Sequence, residues 1–324
     1  MSVGETEILN FLPEIGMDRV REEIIRSLSA RPPMIPAKFF YDERGSELFE
    51  EITGLEEYYP TRTEKRILAS SGELAELPWH DLHIVELGSG DASKISLLLD
   101  HIPEKEWKSV KYFPVDISQS AIGRSAEVLK KRFPEMQITG IVIDYFHQLG
   151  RIPVQGQKLI CFFGSTIGNF DPREREQFMR MLGGIMAPGD LLLLGLDMVK
   201  EKKVLEKAYN DRHGVTAAFN KNILNVVNRL AGTHLDPDDF EHVAFFNEQE
   251  CRIEMHLRAV REVTVRFGGK DTLVTIPPGV TIHTENSYKF NRDDIRQTGR
   301  WAGLELRKVF TDEKGWFSLV WYEK

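Results

Sequence analysis

Short apolar runs broken by turn residues recur along the middle of the chain. They fall at 83–87, 111–116, 138–143, 158–163 and 190–197, each bounded by Gly, Pro or Asp. Runs of that length, apolar on both sides, are what strands buried in a parallel sheet look like. Between them, residues 92–102, 119–133 and 172–187 carry the wider spacing of helices. The alternation predicts a doubly wound α/β domain. Upstream, Met17 to Ala30 has helical periodicity, with Val20, Ile24, Ile25 and Leu28 on one side. Pro32, Pro33 and Pro36 end it, since proline cannot continue a helix. A short helix is expected at Ser46–Ile52, and Thr61 or Thr63 is placed to cap the next one.

After Lys200 the pattern changes. Residues 201–230 read as helical, with Thr216 capping the stretch from Ala217, whereas 242–288 alternate as strands do. In Arg252-Ile253-Glu254-Met255-His256-Leu257-Arg258 the apolar side chains share one face, which predicts an antiparallel sheet outside the α/β core. A helix at 292–302 and strands near 304–310 and 316–322 are expected to return to the main sheet. The chain thus divides into a core, 61–200 plus 289–324, and a second α+β unit, 1–60 plus 201–288.

A length of 324 residues fits two domains of roughly 150 residues each. At 41% hydrophobic and 28% charged the composition is that of a soluble globular protein, and a net charge of −8 argues against nucleic-acid binding. The two cysteines, Cys161 and Cys251, lie far apart, and the nine histidines form no HExxH. No metal site and a reduced, cytoplasmic setting are therefore expected. The acidic N-terminus lacks a signal-peptide pattern, and no apolar run approaches the roughly 20 residues that cross a bilayer, so no membrane partner is expected.

The chemistry starts at Glu86-Leu87-Gly88-Ser89-Gly90, where a strand runs into a glycine turn. The next two strands each deliver an acid at their carboxyl end, Asp116 and Asp144. That layout suits a nucleoside cofactor on the carboxyl edge of a parallel sheet. A dinucleotide turn has a third glycine; this one lacks it and carries Asp91, which repels a pyrophosphate. S-adenosylmethionine, cationic and without phosphate, fits better than NAD. Glu86 or Asp91 would lie near its cationic portion, Asp116 would accept from both ribose hydroxyls, and Asp144 from the adenine amino group. Taken singly, either acid is equally a helix cap.

The chain closely resembles the histidine-specific Nα-methyltransferases of ergothioneine biosynthesis. The resemblance rests on Lys38-Phe39-Phe40-Tyr41-Asp42, Glu57-Tyr58-Tyr59-Pro60-Thr61-Arg62-Thr63-Glu64, and Glu86-Leu87-Gly88-Ser89-Gly90 with Lys94. It continues through Gly164-Ser165-Thr166-Ile167-Gly168-Asn169, Gly214-Val215-Thr216-Ala217-Ala218-Phe219-Asn220, Ile253-Glu254-Met255 and Thr284-Glu285-Asn286-Ser287. It implies a Rossmann-like class I S-adenosylmethionine-dependent methyltransferase core with a substrate-binding second domain. The implied reaction is trimethylation of L-histidine to hercynine, with S-adenosylhomocysteine as by-product and a monomeric enzyme.

Carried over by motif, the cofactor contacts are Gly88, Lys94, Asp116, Asp144 and Tyr145. Tyr58, Asn169, Tyr209, Glu285, Asn286 and Ser287 contact histidine, and Met255 lines the imidazole pocket. Tyr41 and Asn169 lie at the reacting amine. The runner-up is the same chemistry on another amino acid, such as tyrosine or tryptophan. The residue types suit the reaction: a carboxylate and a hydroxyl on one strand face match an imidazole's two ring nitrogens, and tyrosine faces tolerate a quaternary ammonium.

Overall fold

The computed structural model describes residues 6–13, 16–268 and 273–324. Its strands, in chain order, are β1 (Glu7–Asn10), β2 (His83–Leu87), β3 (Lys111–Asp116), β4 (Gln137–Val142), β5 (Lys158–Phe162) and β6 (Leu191–Asp197). They continue as β7 (Phe240–Asn247), β8 (Arg252–Ala259), β9 (Val263–Arg266), β10 (Leu273–Ile276), β11 (Thr281–Tyr288), β12 (Glu305–Thr311) and β13 (Phe317–Glu323). Two compact units share the described residues. One comprises those of Met1–Pro13, Pro60–Val199 and Phe290–Lys324; the other comprises those of Glu14–Tyr59 and Lys200–Lys289.

The first unit is built on an eight-stranded sheet of order β1-β4-β3-β2-β5-β6-β13-β12. Strands β1 to β6 pair in parallel, and β13 and β12 run antiparallel at the far edge. This is a Rossmann-like α/β fold. Its order reverses beside β2, whose neighbours are β3 on one side and β5 on the other, and such a switch point opens a crevice at the carboxyl ends of the strands. Apolar side chains cover both faces of the sheet, which explains the near-continuous hydrophobic runs.

Helices Pro172–Ile185 and Arg292–Ala302 each start with a capping box, from Asp171 and Asn291. They pack closely: a Cβ on Gly183 would lie 2.0 Å from the Ala302 carbonyl oxygen.

The second unit holds a three-stranded antiparallel sheet, β11-β8-β7, and a β9–β10 hairpin, with helices Met17–Leu28, Glu43–Gly54, Lys202–Tyr209 and Val215–Ala231. Ile253, Met255 and Leu257 are buried together, as the alternation on β8 requires. Buried Asn220 ties Val215–Ala231 to the sheet. Its amide donates to the His256 carbonyl at 3.0 Å, and its side-chain oxygen accepts from Thr284 Oγ1 at 2.7 Å.

Local expectations are revised in four places. Glu7–Asn10 pairs with β4 in the main sheet and so does not belong with the second unit, because an edge strand completes its hydrogen bonds wherever a partner edge is open. Residues 201–230 form two helices rather than one stretch, parted by Gly214 at φ +71°. The second is capped by Asp211, whose carboxylate accepts from the Val215 and Thr216 amides at 3.0 and 2.8 Å, so Thr216 is not the cap. Thr61 and Thr63 lie inside helix Tyr59–Ser70, which begins before either.

Candidate functional site

Two sets of candidate residues emerge, each within one unit. In the first unit, β2 ends in the turn Gly88-Ser89-Gly90, with Gly88 at φ +68° and Gly90 at φ +46°, left-handed conformations that favour glycine. A Cβ on Gly88 would meet the Tyr145 hydroxyl at 3.6 Å, so the turn and the Tyr145 ring are close neighbours. Asp116 closes β3. Its Oδ1 accepts from the Ser118 amide at 2.9 Å and its Oδ2 from Gly90 N–H at 3.3 Å. Burial raises its pKa, against the pull of those amide donors. Asp144 is the N-cap of helix Tyr145–Gln148, accepting from Phe146 N–H at 3.1 Å, with His147 Nδ1 2.8 Å from its other oxygen. Capping and ligand reading coexist here, since a carboxylate has more lone pairs than these donors occupy.

The arrangement fits a phosphate-free nucleoside. Ser89 Oγ is buried without a hydrogen-bond partner among the described residues, and Asp116 and Asp144 are strand-end acids able to accept from hydroxyl and amino groups. Asp91 Oδ1 accepts from the Ser93 amide at 3.1 Å and the Ser93 hydroxyl at 2.6 Å, placing negative charge where a pyrophosphate would otherwise sit. Glu86 is not a free counter-charge. It is buried, accepts from the Tyr112 hydroxyl, and burial pushes its pKa up to about 8.

Lys94 lies in the first turn of helix Ser93–Leu99, after the glycine turn, and ion-pairs with Glu64 at 2.8 Å. Glu64 is fully buried and also accepts from Gly164 N–H through both oxygens, at 3.0 and 2.9 Å. Sequence reasoning did not single out Glu64: nothing local marks a glutamate in an amphipathic helix as a buried counter-ion. Asn169 ends the turn Thr166–Asn169 after β5 and is half-buried.

In the second unit a small, partly open pocket is lined by Tyr58, Tyr209, Met255 and Glu285, four of the sequence candidates. Phe49, Ile52, Ala208, Thr216 and Phe219 complete it; the sequence gave none of them a role in a site, Thr216 being read as a helix cap and the others lying at apolar helix positions that read as core. Asp42 holds the Phe49 helix against the Phe219 helix, accepting from Gly45 N–H at 2.8 Å, Asn222 Nδ2 at 2.9 Å and Arg229 at 2.8 Å.

The rings form a continuous aromatic wall. Tyr58 meets Phe49 at 6.3 Å and Tyr209 at 6.2 Å, edge-on. Tyr41 does not line the pocket; it packs on Phe49 and Phe219 at 6.0 and 6.1 Å and is 44% exposed. Glu285 is the acid of this pocket, and burial pushes its pKa up to about 7 against the favourable charge of Lys289.

Register explains the remaining candidates. Glu285 pairs with Met255, while Asn286 pairs with Glu254 one residue along, so Asn286 belongs to the opposite face of the sheet. Ser287 returns to the Glu285 side and accepts from the Tyr209 hydroxyl at 2.8 Å. On the Asn286 face, Glu254, His256 and His283 bring three possible metal-ligating atoms within 4.8 Å of one another, from two strands that no linear motif links. Two features oppose a metal there. The imidazoles of His256 and His283 stack at 4.6 Å and 15°, so their lone pairs run parallel. Glu254 Oε1 is already held by Arg252 at 2.8 Å and Asn247 at 2.9 Å. No helix among the described residues is long and apolar enough to cross a membrane.

Comparison with known proteins gives a consistent result. The family described as "Histidine-specific methyltransferase, SAM-dependent" matches residues 20–324. The Histidine N-alpha-methyltransferase of Mycobacterium tuberculosis is 42% identical over 314 residues, covering 96% of this chain and 97% of that one. Ergothioneine biosynthesis protein 1 of Schizosaccharomyces pombe is 30% identical over 279 residues, covering 81% of this chain and 35% of the longer fungal protein. More distantly, the 4-dimethylallyltryptophan N-methyltransferase ifgB of Penicillium roqueforti is 24% identical, covering 98% of this chain and 95% of that one.

Proposed function

Because the chain belongs to the family of histidine-specific, S-adenosylmethionine-dependent methyltransferases, we propose that it trimethylates the α-amine of L-histidine to hercynine, the first step of ergothioneine biosynthesis. The observation that carries the substrate assignment is the second unit's pocket, where one half-buried carboxyl, Glu285, sits among the aromatic rings of Phe49, Tyr58, Tyr209 and Phe219. An imidazole offers an N–H to that carboxyl and its flat faces to the rings. An indole or phenol also offers Glu285 a donor, but neither has the second, bare ring nitrogen that an imidazole presents.

When bound, S-adenosylmethionine supplies a methyl group already activated on sulfur. Gly88 gives the backbone room to approach it, Asp116 accepts from the ribose hydroxyls, and Asp144 with Tyr145 takes the adenine. Lys94 is steered by Glu64. What remains for the protein is to hold a neutral amine at near-attack distance for each transfer. Asn169 would donate to the substrate carboxylate, the Tyr209 ring would flank the substrate while its hydroxyl stays on Ser287, and Met255 would close on the imidazole. As methyl groups replace N–H donors, the tyrosine faces hold the growing cation by cation–π attraction of roughly 0.5–2 kcal/mol.

The direct test supplies S-adenosylmethionine with each common amino acid and follows product masses. Histidine gaining three methyl groups is the expected result. A preference for tryptophan or tyrosine, or a product that stops at one methyl group, overturns the assignment.

A further inference from the structure

Glu285, Ser287 and Lys289 are spaced by two and so fall on one face of β11 and its extension. The strand pairing carries past Tyr288, since Lys289 N–H donates to the Cys251 carbonyl at 2.8 Å. Lys289 is 3% exposed, an unusual place for a lysine. Its ammonium donates to Ser287 Oγ at 2.7 Å and to the Tyr209 hydroxyl at 3.2 Å, and Tyr209 in turn donates to Ser287 Oγ at 2.8 Å. The three groups close a triangle.

Counting protons in that triangle gives a definite answer. A lysine ammonium only donates, and a serine hydroxyl has one proton and two lone pairs. Both lone pairs of Ser287 are taken, by Lys289 and Tyr209, and none of its hydrogen bonds among the described residues uses its own proton. Ser287 is therefore left with a proton to donate and no lone pair with which to accept. Without Lys289 one lone pair would be released, and the hydroxyl could turn either way.

We propose that Lys289 is a positioning residue for substrate specificity, fixing the Ser287 hydroxyl as a hydrogen-bond donor to the bare ring nitrogen of the substrate while Glu285 takes the ring N–H. The inference rests on the histidine reading above and deepens it. The pocket then matches the neutral imidazole, one nitrogen of each kind, and disfavours rings with no bare nitrogen. The lysine charge also favours the ionised, accepting form of Glu285.

A double-mutant cycle on the full chain tests it, using Ser287→Ala, Lys289→Met and the pair. Histidine affinity is measured by calorimetry with S-adenosylhomocysteine present, alongside KM and kcat. If Lys289 acts through Ser287, Lys289→Met raises the histidine KM by about tenfold or more with a smaller change in kcat. In the Ser287→Ala background the same substitution adds less than about threefold, because residues sharing one interaction are not additive. Lys289→Arg, which keeps donors, restores most of the affinity and serves if the methionine variant does not fold.

Additive effects, or a Ser287→Ala variant with unchanged histidine affinity, overturn the role of Lys289 while leaving histidine methylation standing. A wild-type protein that neither binds nor methylates histidine removes both.

Discussion

The Lys94 ammonium lies 2.8 Å from the Glu64 carboxylate, and that carboxylate is fully buried while also accepting the Gly164 amide. One acid thus pins the first turn of the helix after the glycine loop to the loop that follows β5. A buried charge with these partners is costly to break, because each donor is left without an acceptor.

Replacing Glu64 by alanine is expected to lower stability by about 3–5 kcal/mol, the usual cost of orphaning a buried pair. Denaturant titration reads this. Glu64→Gln keeps an acceptor for Gly164 but not the charge, so S-adenosylhomocysteine affinity should fall through Lys94 even where folding is retained. Unchanged stability in the alanine variant would show that solvent reaches the pair.

Glu285→Leu is expected to raise the histidine KM by at least tenfold, since the ring N–H then meets an apolar wall and loses about 1.5–3 kcal/mol of charged hydrogen bonding. Affinity for S-adenosylhomocysteine measured without histidine should stay within about twofold, because Glu285 is not among the residues assigned to the cofactor. Steady-state kinetics and calorimetry separate the two; a matched loss of both ligands would sink the assignment of Glu285 to the substrate.

Stability should depend on pH in a stated direction. Glu86 and Glu285 have folded values of about 8 and about 7, raised by burial from 4.5. The folded state then holds more protons than the unfolded one between those limits, so stability falls as pH rises from about 4.5 toward 8, by at most ~1.4 kcal/mol per pH unit for each group. Glu254 works the other way. Hydrogen bonds from Asn247, His256 and Arg252 outweigh burial and lower it to about 2, so its contribution is present above 4.5 and is lost as pH falls toward 2. Thermal unfolding midpoints between pH 5 and 8 should decline, and Glu86→Gln should flatten the decline; a flat wild-type profile contradicts the prediction.

Gly183→Ala places a Cβ 2.0 Å from the Ala302 carbonyl oxygen, so helices Pro172–Ile185 and Arg292–Ala302 must separate. A loss of about 1–3 kcal/mol is expected, as for other overpacked contacts. Gly184→Ala, one residue along with nothing within 4 Å, should be neutral or slightly stabilising through helix propensity. Equal effects in both would refute the packing argument.

Local patterns along the chain were enough to specify the main sheet, because buried parallel strands must be apolar on both faces and each must end in turn chemistry. The runs at 83–87 and 158–163 and the strand-end acids Asp116 and Asp144 are local signals of that kind. The sequence also marked Tyr58, Tyr209, Met255 and Glu285, through motifs long enough to be distinctive. Tertiary structure alone decided three things. It paired Glu7–Asn10 with β4, since an edge strand's partner lies far along the chain. It set Asn286 on the face away from Glu285, since register is fixed by pairing with β8. It buried Glu64 and Lys289 beside their partners, since no local pattern tells a buried charge from a solvated one until the groups that neutralise it have folded into place.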